Sequence, residues 1–254
     1  MRVRVCGLRV RVCVRGRRAV TASLPAIDHL QQQAAWLAPA RARLLRHLGI
    51  ARRRRVLDLG AGYGAVTEEL TRRAGGPVTA LDLDYRALRH VPSAAPVQAH
   101  SAWLPFPAGA FDLVVCHFAL LWMPLAETLA EIARVLDAGG ALAALEPDYG
   151  GLLEAPPETA VRAVWLAALA RAGADPLIGR RLAGPLAALG FQVRVELLND
   201  LAPADPARFD FLRGLPLTPA EQAAVAAARA ADAKLSGWAR VAHLPVCLIT
   251  AVKP

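Results

Sequence analysis

Short apolar runs, each cut off by glycine or proline, alternate along this chain with longer segments whose apolar positions recur every three to four residues. Leu37, Leu44, Leu45 and Leu48 fall on one helical face within residues 24–50, and Gly49 ends that segment. Val56, Leu57 and Leu59 then predict a short buried strand, stopped by Gly60. A helix over 65–74 follows, broken by "AGGP", and strands are expected at 78–82, 95–100 and 111–118. "LAETLAEIARVL" places Leu125, Leu129, Ile132 and Leu136 on one face of a helix that "DAGG" closes. "ALAALEP" is the fifth strand. Strands alternating with helices across short glycine turns predict an α/β fold with a doubly wound, parallel sheet.

Beyond Pro147 the rhythm loosens. "DYGGLLEAPPE" reads as a loop, followed by helices over 157–173 and 178–190 and a strand at 191–198. "LTPAEQ" begins another helix, with Thr218 as N-cap, Pro219 at the first helical position and Glu221 completing a capping box. "PVCLITAVKP" reads as a closing strand. These patterns predict a single domain over 21–254, with its core at 50–150 and helical cap inserts at 151–178 and 203–240, placed where a lid over a substrate would be built.

Composition changes this picture little. A chain of 254 residues suits one capped α/β domain, and no apolar stretch approaches the roughly 20 residues a membrane span needs. The cysteines Cys6, Cys13, Cys116 and Cys247 form no C-x-x-C pair and have no histidine cluster beside them. That argues against a metal site or a disulfide framework and suits a reducing cytoplasm. Arginine outnumbers lysine 28 to 2, a usage typical of GC-rich bacterial genomes.

Charge changes it more. The net charge of +9 invites a nucleic-acid partner, yet residues 1–55 hold 14 arginines against one acid, Asp28, whereas the remainder carries a net −4. A nucleic-acid footprint would put its basic face on the folded domain, so the distribution argues against that partner. The leader at 1–20 alternates arginine with valine. It is expected to be a disordered tail or the product of a start site placed too far upstream, ahead of a basic arm or an edge strand. It lacks the apolar centre of a secretory signal. Arg52 to Arg55 are expected to form a solvated linker.

The chemistry gathers at "VLDLGAGYGAV", residues 56–66. A strand-to-helix turn bare of side chains lets a ligand approach the main chain, which is what Gly60, Gly62 and Gly64 would permit. Asp82 ends the next strand, 18 residues past Gly64, where a carboxylate can accept two hydrogen bonds from a ribose diol. Both features describe an adenosine-containing ligand. Gly60, Gly62 and Ala65 formally satisfy the dinucleotide pattern G-x-G-x-x-G/A, so spacing leaves NAD open. Asp58, two residues before the turn, favours a ligand with cationic groups and no phosphate, as S-adenosylmethionine is.

These residues also resemble the class I S-adenosylmethionine-dependent methyltransferases, of the small-molecule kind often called type 11. "VLDLGAGYG", "VTALDLD", "LPFPAGAFDLVVCHFALLWM" and "EIARVLDAGGALAALEPD" follow that family's order between Val56 and Asp148. The resemblance implies a Rossmann-like methyltransferase fold, a mostly parallel seven-stranded sheet with an antiparallel last strand, and S-adenosyl-L-methionine as cofactor. Gly60, Ala61 and Gly62 would then line the methionine part and Asp58 its amino end. Asp82 would hold the ribose and Leu83 the adenine. His100 stands where an acid usually meets the adenine amino group; its imidazole would accept that bond, with the Ser101 and Ala102 main chain at the ring edge. Cys116 completes the implied cofactor set. The acceptor would be a small molecule. No planar-nitrogen tetrad follows the fourth strand, where "CHFA" stands.

Local readings compete with these: Asp58 as a loop brace, Asp82 as a helix N-terminal acid, Trp103 and Trp122 as core aromatics. His117, Asp148 and Tyr149 are the candidate bases, and Arg180 and Arg181 candidate anchors for an acidic substrate. The rival functions are an NAD(P)-dependent oxidoreductase, although no Tyr-x-x-x-Lys pair is present, and a degenerate fold that only binds.

Overall fold

Four-residue apolar runs have too little length to shield themselves, and here they are stacked side by side in one sheet. The computed structural model describes residues 27–198 and 201–254. The leader at 1–20 lies outside the described residues. Two helices, α1 (Ile27–Trp36) and α2 (Ala38–His47), come first. They are followed by β1 (Val56–Leu59), α3 (Thr67–Arg73), β2 (Val78–Asp82), the single turn α4 (Tyr85–Leu88), β3 (Ala95–Gln98) and β4 (Phe111–His117). Then come α5 (Leu125–Val135), β5 (Leu136–Pro147), β6 (Leu153–Ala155), α6 (Arg162–Ala172), α7 (Ile178–Arg181), α8 (Ala183–Ala188) and β7 (Gln192–Leu198). Helix α9 (Pro219–Asp232) precedes β8 (Val241–His243) and β9 (Val246–Val252).

Seven strands form one sheet in the order β3-β2-β1-β4-β5-β9-β7. β1 to β5 run parallel, and β9 lies antiparallel between β5 and β7. From β1 the chain winds outward one way to β3 and then returns to wind the other way from β4. The switch point therefore lies between β1 and β4, where doubly wound sheets open a cleft at the strands' carboxyl ends. Alternate residues of each strand face opposite sides. Leu57, Leu59, Val114, Cys116, Leu142 and Ala144 join one buried cluster with α5 and the cap. Val56, Leu113, Val115, Ala141 and Ala143 join the other with α2 and α3.

Several expectations need correction. The segment expected as one helix over 24–50 is two, separated at Leu37, because Pro39 can only enter a helix near its start. The α6 helix begins at Arg162 rather than Pro157, since Pro156 and Pro157 open a 3₁₀ turn instead. "DAGG" does not close α5 but lies inside β5, across an irregular register with Gly139 at φ +73°. The 151–178 insert is not wholly helical: β6 pairs antiparallel with β8, some 90 residues on. Arg52–Arg55 are more than a solvated linker. Arg53 donates to the carbonyls of Leu48 and Asp112, Arg54 to that of Gly75, and Arg55 pairs with Asp137, so this stretch ties loops beneath the sheet.

The capping box of α9 forms as expected: the Glu221 N–H donates to the Thr218 hydroxyl and the Thr218 N–H to the Glu221 carboxylate. The segment at 203–240 holds a polar hub of its own. Asp232, 1% exposed, accepts from Arg208 at 2.6 Å and from Arg240 at 3.0 Å, which ties α9 to the segments on either side of it. Among the described residues no helix is long and apolar enough to cross a membrane.

Candidate functional site

The glycine turn sits at the carboxyl end of β1, beside the switch point, and its three glycines serve three different needs. A Cβ on Gly60 would lie 2.5 Å from the Ala119 Cβ and 3.0 Å from the Met123 Cε, so Gly60 lets the segment after β4 press down on the turn. A Cβ on Gly64 would meet Val91 at 2.7 Å. Gly62 has φ +52°, and a Cβ there would meet nothing within 4 Å. Of the three, only Gly62 faces open space.

The turn's donors are already engaged. Gly60 and Ala61 N–H both reach the Leu81 carbonyl, at 2.8 and 3.0 Å, and Gly64 N–H reaches the Ala61 carbonyl at 2.8 Å. Gly62 N–H donates to Asp82 Oδ2 at 2.8 Å, and Asp84 N–H to Asp82 Oδ1 at 2.9 Å. Asp82 therefore braces the turn from β2, and each of its oxygens keeps a lone pair for a further donor. Burial raises its pKa above the usual carboxylate value. Leu83 beside it is 51% exposed, an apolar side chain left open at the strand's end.

Asp58 lies beneath the turn, 2% exposed, and takes the Thr67 hydroxyl at 2.5 Å. Burial is the main reason its pKa is pushed up to about 6, with the Thr67 bond opposing that shift. The local reading of Asp58 as a loop brace thus describes its observed partner. Arg41 of α2 draws in close by. It is 3% exposed, pairs with Glu69 at 2.6 Å and approaches His117 Nε2 at 3.5 Å. Sequence reasoning missed Arg41, since one arginine among many on a helix carries no signal.

At the adenine side, His100 Nδ1 accepts from the Ala102 N–H at 3.1 Å. That bond puts the ring proton on Nε2, so the free edge of His100 donates rather than accepts. The expectation that it accepts from an adenine amino group is corrected accordingly, and the Ala102 N–H is not free for the ring edge. His100 instead does locally what an acid would do there, capping the turn that follows. Ser101 is buried with its hydroxyl 2.8 Å from Thr128 Oγ1. The Cys116 side chain is fully buried in the core and does not reach the cleft. Trp103, expected in the core, is 54% exposed and tilted against His100. Trp122 does pack against the core.

The candidate bases do not survive as free bases. Burial, aided by the Arg41 charge, lowers His117 to about 3, so the ring is neutral and weakly basic. Asp148 is held by Arg180 at 2.8 Å. Tyr149 is buried, stacked on Trp165 at 4.8 Å, and its hydroxyl is pushed well above the usual range. The candidate anchors are neutralised too, Arg180 by Asp148 and Arg181 by Asp175. Among the described residues no cluster could hold a metal ion, and Cys116 and Cys247 are free thiols.

A carboxylate that the sequence left unremarked stands at the end of β5. Glu146 is fully buried on the face shared by Leu142 and Ala144. Its Oε1 accepts from the N–H groups of Ala119 and Leu120 at 3.1 and 2.9 Å, while Oε2 has no partner. Burial pushes its carboxyl up to about 7 despite the main-chain donors. Its only signal in the sequence is an acid within an apolar strand.

A family model described as methyltransferase domain matches residues 57–144, the stretch from β1 into β5. Malonyl-[acyl-carrier protein] O-methyltransferase of Pseudescherichia vulneris is 37% identical over 130 residues, covering 49% of this chain and 49% of that protein. The chain spans about half the length of the curated relatives it matches. A putative methyltransferase from Bacillus halodurans superposes with a TM-score of 0.62 at 19% identity, over 84% of this chain and 98% of that one. Geranyl diphosphate C-methyltransferase from Streptomyces coelicolor, solved with S-adenosyl-L-homocysteine, gives 0.56 at 17% identity over 85% and 77%. At these identities the superpositions show the fold, a Rossmann-like α/β sheet.

Proposed function

We propose, for a chain whose residues 57–144 belong to the methyltransferase-domain family, that its cleft at the β1–β4 switch point binds S-adenosylmethionine and that the protein methylates a small-molecule acceptor. The observation that carries this reading is the state of the turn's donors. A dinucleotide's pyrophosphate is held by main-chain N–H groups at such a turn. Here those of Gly60, Ala61, Gly62 and Gly64 are consumed within the chain, and the nearby side-chain charges, Asp58 and Asp82, are acidic. A ligand with a sulfonium, an amino group and no phosphate suits that environment. Gly62, open above its Cα, supplies the room such a ligand needs.

Within this reading Gly60, Ala61 and Gly62 line the methionine end, with the Asp58 charge beneath it. Asp82 uses its spare lone pairs on the ribose diol, and Leu83 covers the adenine. His100 donates from Nε2 to a ring nitrogen. S-adenosylmethionine supplies an electrophilic methyl group whose in-line displacement needs alignment above all. The chain's own contribution is then to hold the cleft and exclude water through the cap, since His117, Asp148 and Tyr149 offer no free base. The acceptor is held chiefly by packing, because Arg180 and Arg181 are already paired. The free buried thiols Cys116 and Cys247 support residence in a reducing cytoplasm.

Calorimetric titration with S-adenosylmethionine, S-adenosylhomocysteine and NADH tests the reading. Micromolar binding of the first two, weakened more than tenfold by Asp82→Ala, is expected. NADH binding alone transfers the chain to the oxidoreductases. Silence from all three marks a fold that has lost its cofactor.

A further inference from the structure

Resting on the cofactor reading above, we infer that Glu146 is a positioning residue for the cofactor cleft, holding the segment after β4 down over the glycine turn. The reasons lie in that segment's main chain. Phe118 leaves β4 with φ +53°, a left-handed conformation that is unfavourable for an aromatic residue and persists only where neighbours enforce it. The next two N–H groups, those of Ala119 and Leu120, both donate to Glu146 Oε1.

Ala119 and Met123 lie at the two ends of the pinned turn, and both press on Gly60. A third tie runs outward: the Asp175 N–H donates to the Leu121 carbonyl at 2.7 Å, which joins the same turn to the segment leading into α7. One buried carboxyl thus sets the height of the wall beside Gly60, and the cap hangs from that wall. An apolar side chain in place of Glu146 would leave the buried N–H groups of Ala119 and Leu120 without their acceptor, so the carboxyl is needed for the bonds it accepts and not only for the space it fills. Burial raises its carboxyl to about 7 despite the main-chain donors, and an amide of the same length keeps the acceptor oxygen without the charge.

The test compares Glu146→Gln, Glu146→Asp and Leu142→Ala by melting temperature and by S-adenosylhomocysteine affinity. Glutamine keeps the acceptor in place and retains affinity within threefold. Aspartate, one methylene shorter, loses reach to the two N–H groups and binds at least tenfold more weakly. Leu142→Ala, on the same strand face, lowers the melting temperature and leaves affinity unchanged. Aspartate binding within twofold of wild type, or an equal loss of affinity in Leu142→Ala at equal destabilisation, overturns the inference while the cofactor reading stands. No binding by the wild-type protein overturns both.

Discussion

Burial raises a carboxyl's pKa unless something compensates its charge, and Asp58 shows how much a single residue's environment decides. Its folded pKa of about 6 lies above the unfolded value of 3.8, so the native state binds the extra proton. The stability this group contributes is full below about pH 4, is lost as pH rises towards 6, and stays lost above that. The shift corresponds to about 3 kcal/mol at most. Asn cannot ionise, so the melting temperature of Asp58→Asn relative to wild type should climb between pH 4 and 6 and then level off. Melting curves of both proteins from pH 4 to 8 check this, and a difference independent of pH would show that Asp58 is ionised throughout. The positions of Asp58 and Asp82 were legible from the sequence. That Asp82 braces Gly62, or that His100 donates rather than accepts, was not, because each depends on a main-chain N–H brought close by folding.

At the scale of elements, the glycine turn was the clearest signal in the chain, yet its three glycines looked alike there. The structure separates them by what would surround an added methyl group. Gly60→Ala drives a Cβ into Ala119 and should lower the melting temperature more than Gly62→Ala, whose penalty is the backbone conformation alone, about 1 kcal/mol. Gly62→Ala in turn puts a methyl group into the open space of the proposed cleft. It should lose about tenfold in S-adenosylhomocysteine affinity while remaining the more stable of the two. Thermal melts and titrations of the pair separate packing from binding, and the reverse ranking in both would reject the assignment. Other elements gave no warning. β6 is three residues long and exists because β8 pairs with it, a partner that no local pattern can announce.

For the whole molecule, residues 203–240 share the sheet's apolar cluster through Phe209, Leu212 and Ala228 and are tied in addition by a few buried polar contacts. Asp232 stands between two guanidinium groups whose side chains are 14% and 16% exposed. Asp232→Ala leaves both arginines without their carboxylate and should cost about 3–5 kcal/mol, which is the expectation for a buried pair broken on one side. Limited proteolysis should then cut within residues 201–240 faster than in wild type, with the sheet core surviving as a fragment. Uniform protection would mean that the cap is held by its apolar contacts alone.

The sequence by itself determined the α/β class, the five leading strands, the capping box of α9 and the place of the glycine turn. All of these follow from local periodicity and local backbone chemistry, which short stretches of chain carry complete. Tertiary structure alone decided which donors of the turn remain free, which arginines and acids neutralise one another, and that Glu146 reaches across from β5 to hold the exit of β4. Those outcomes depend on distances between residues tens of positions apart and on the loss of water around them. Neither is a property of any stretch short enough to read as a pattern.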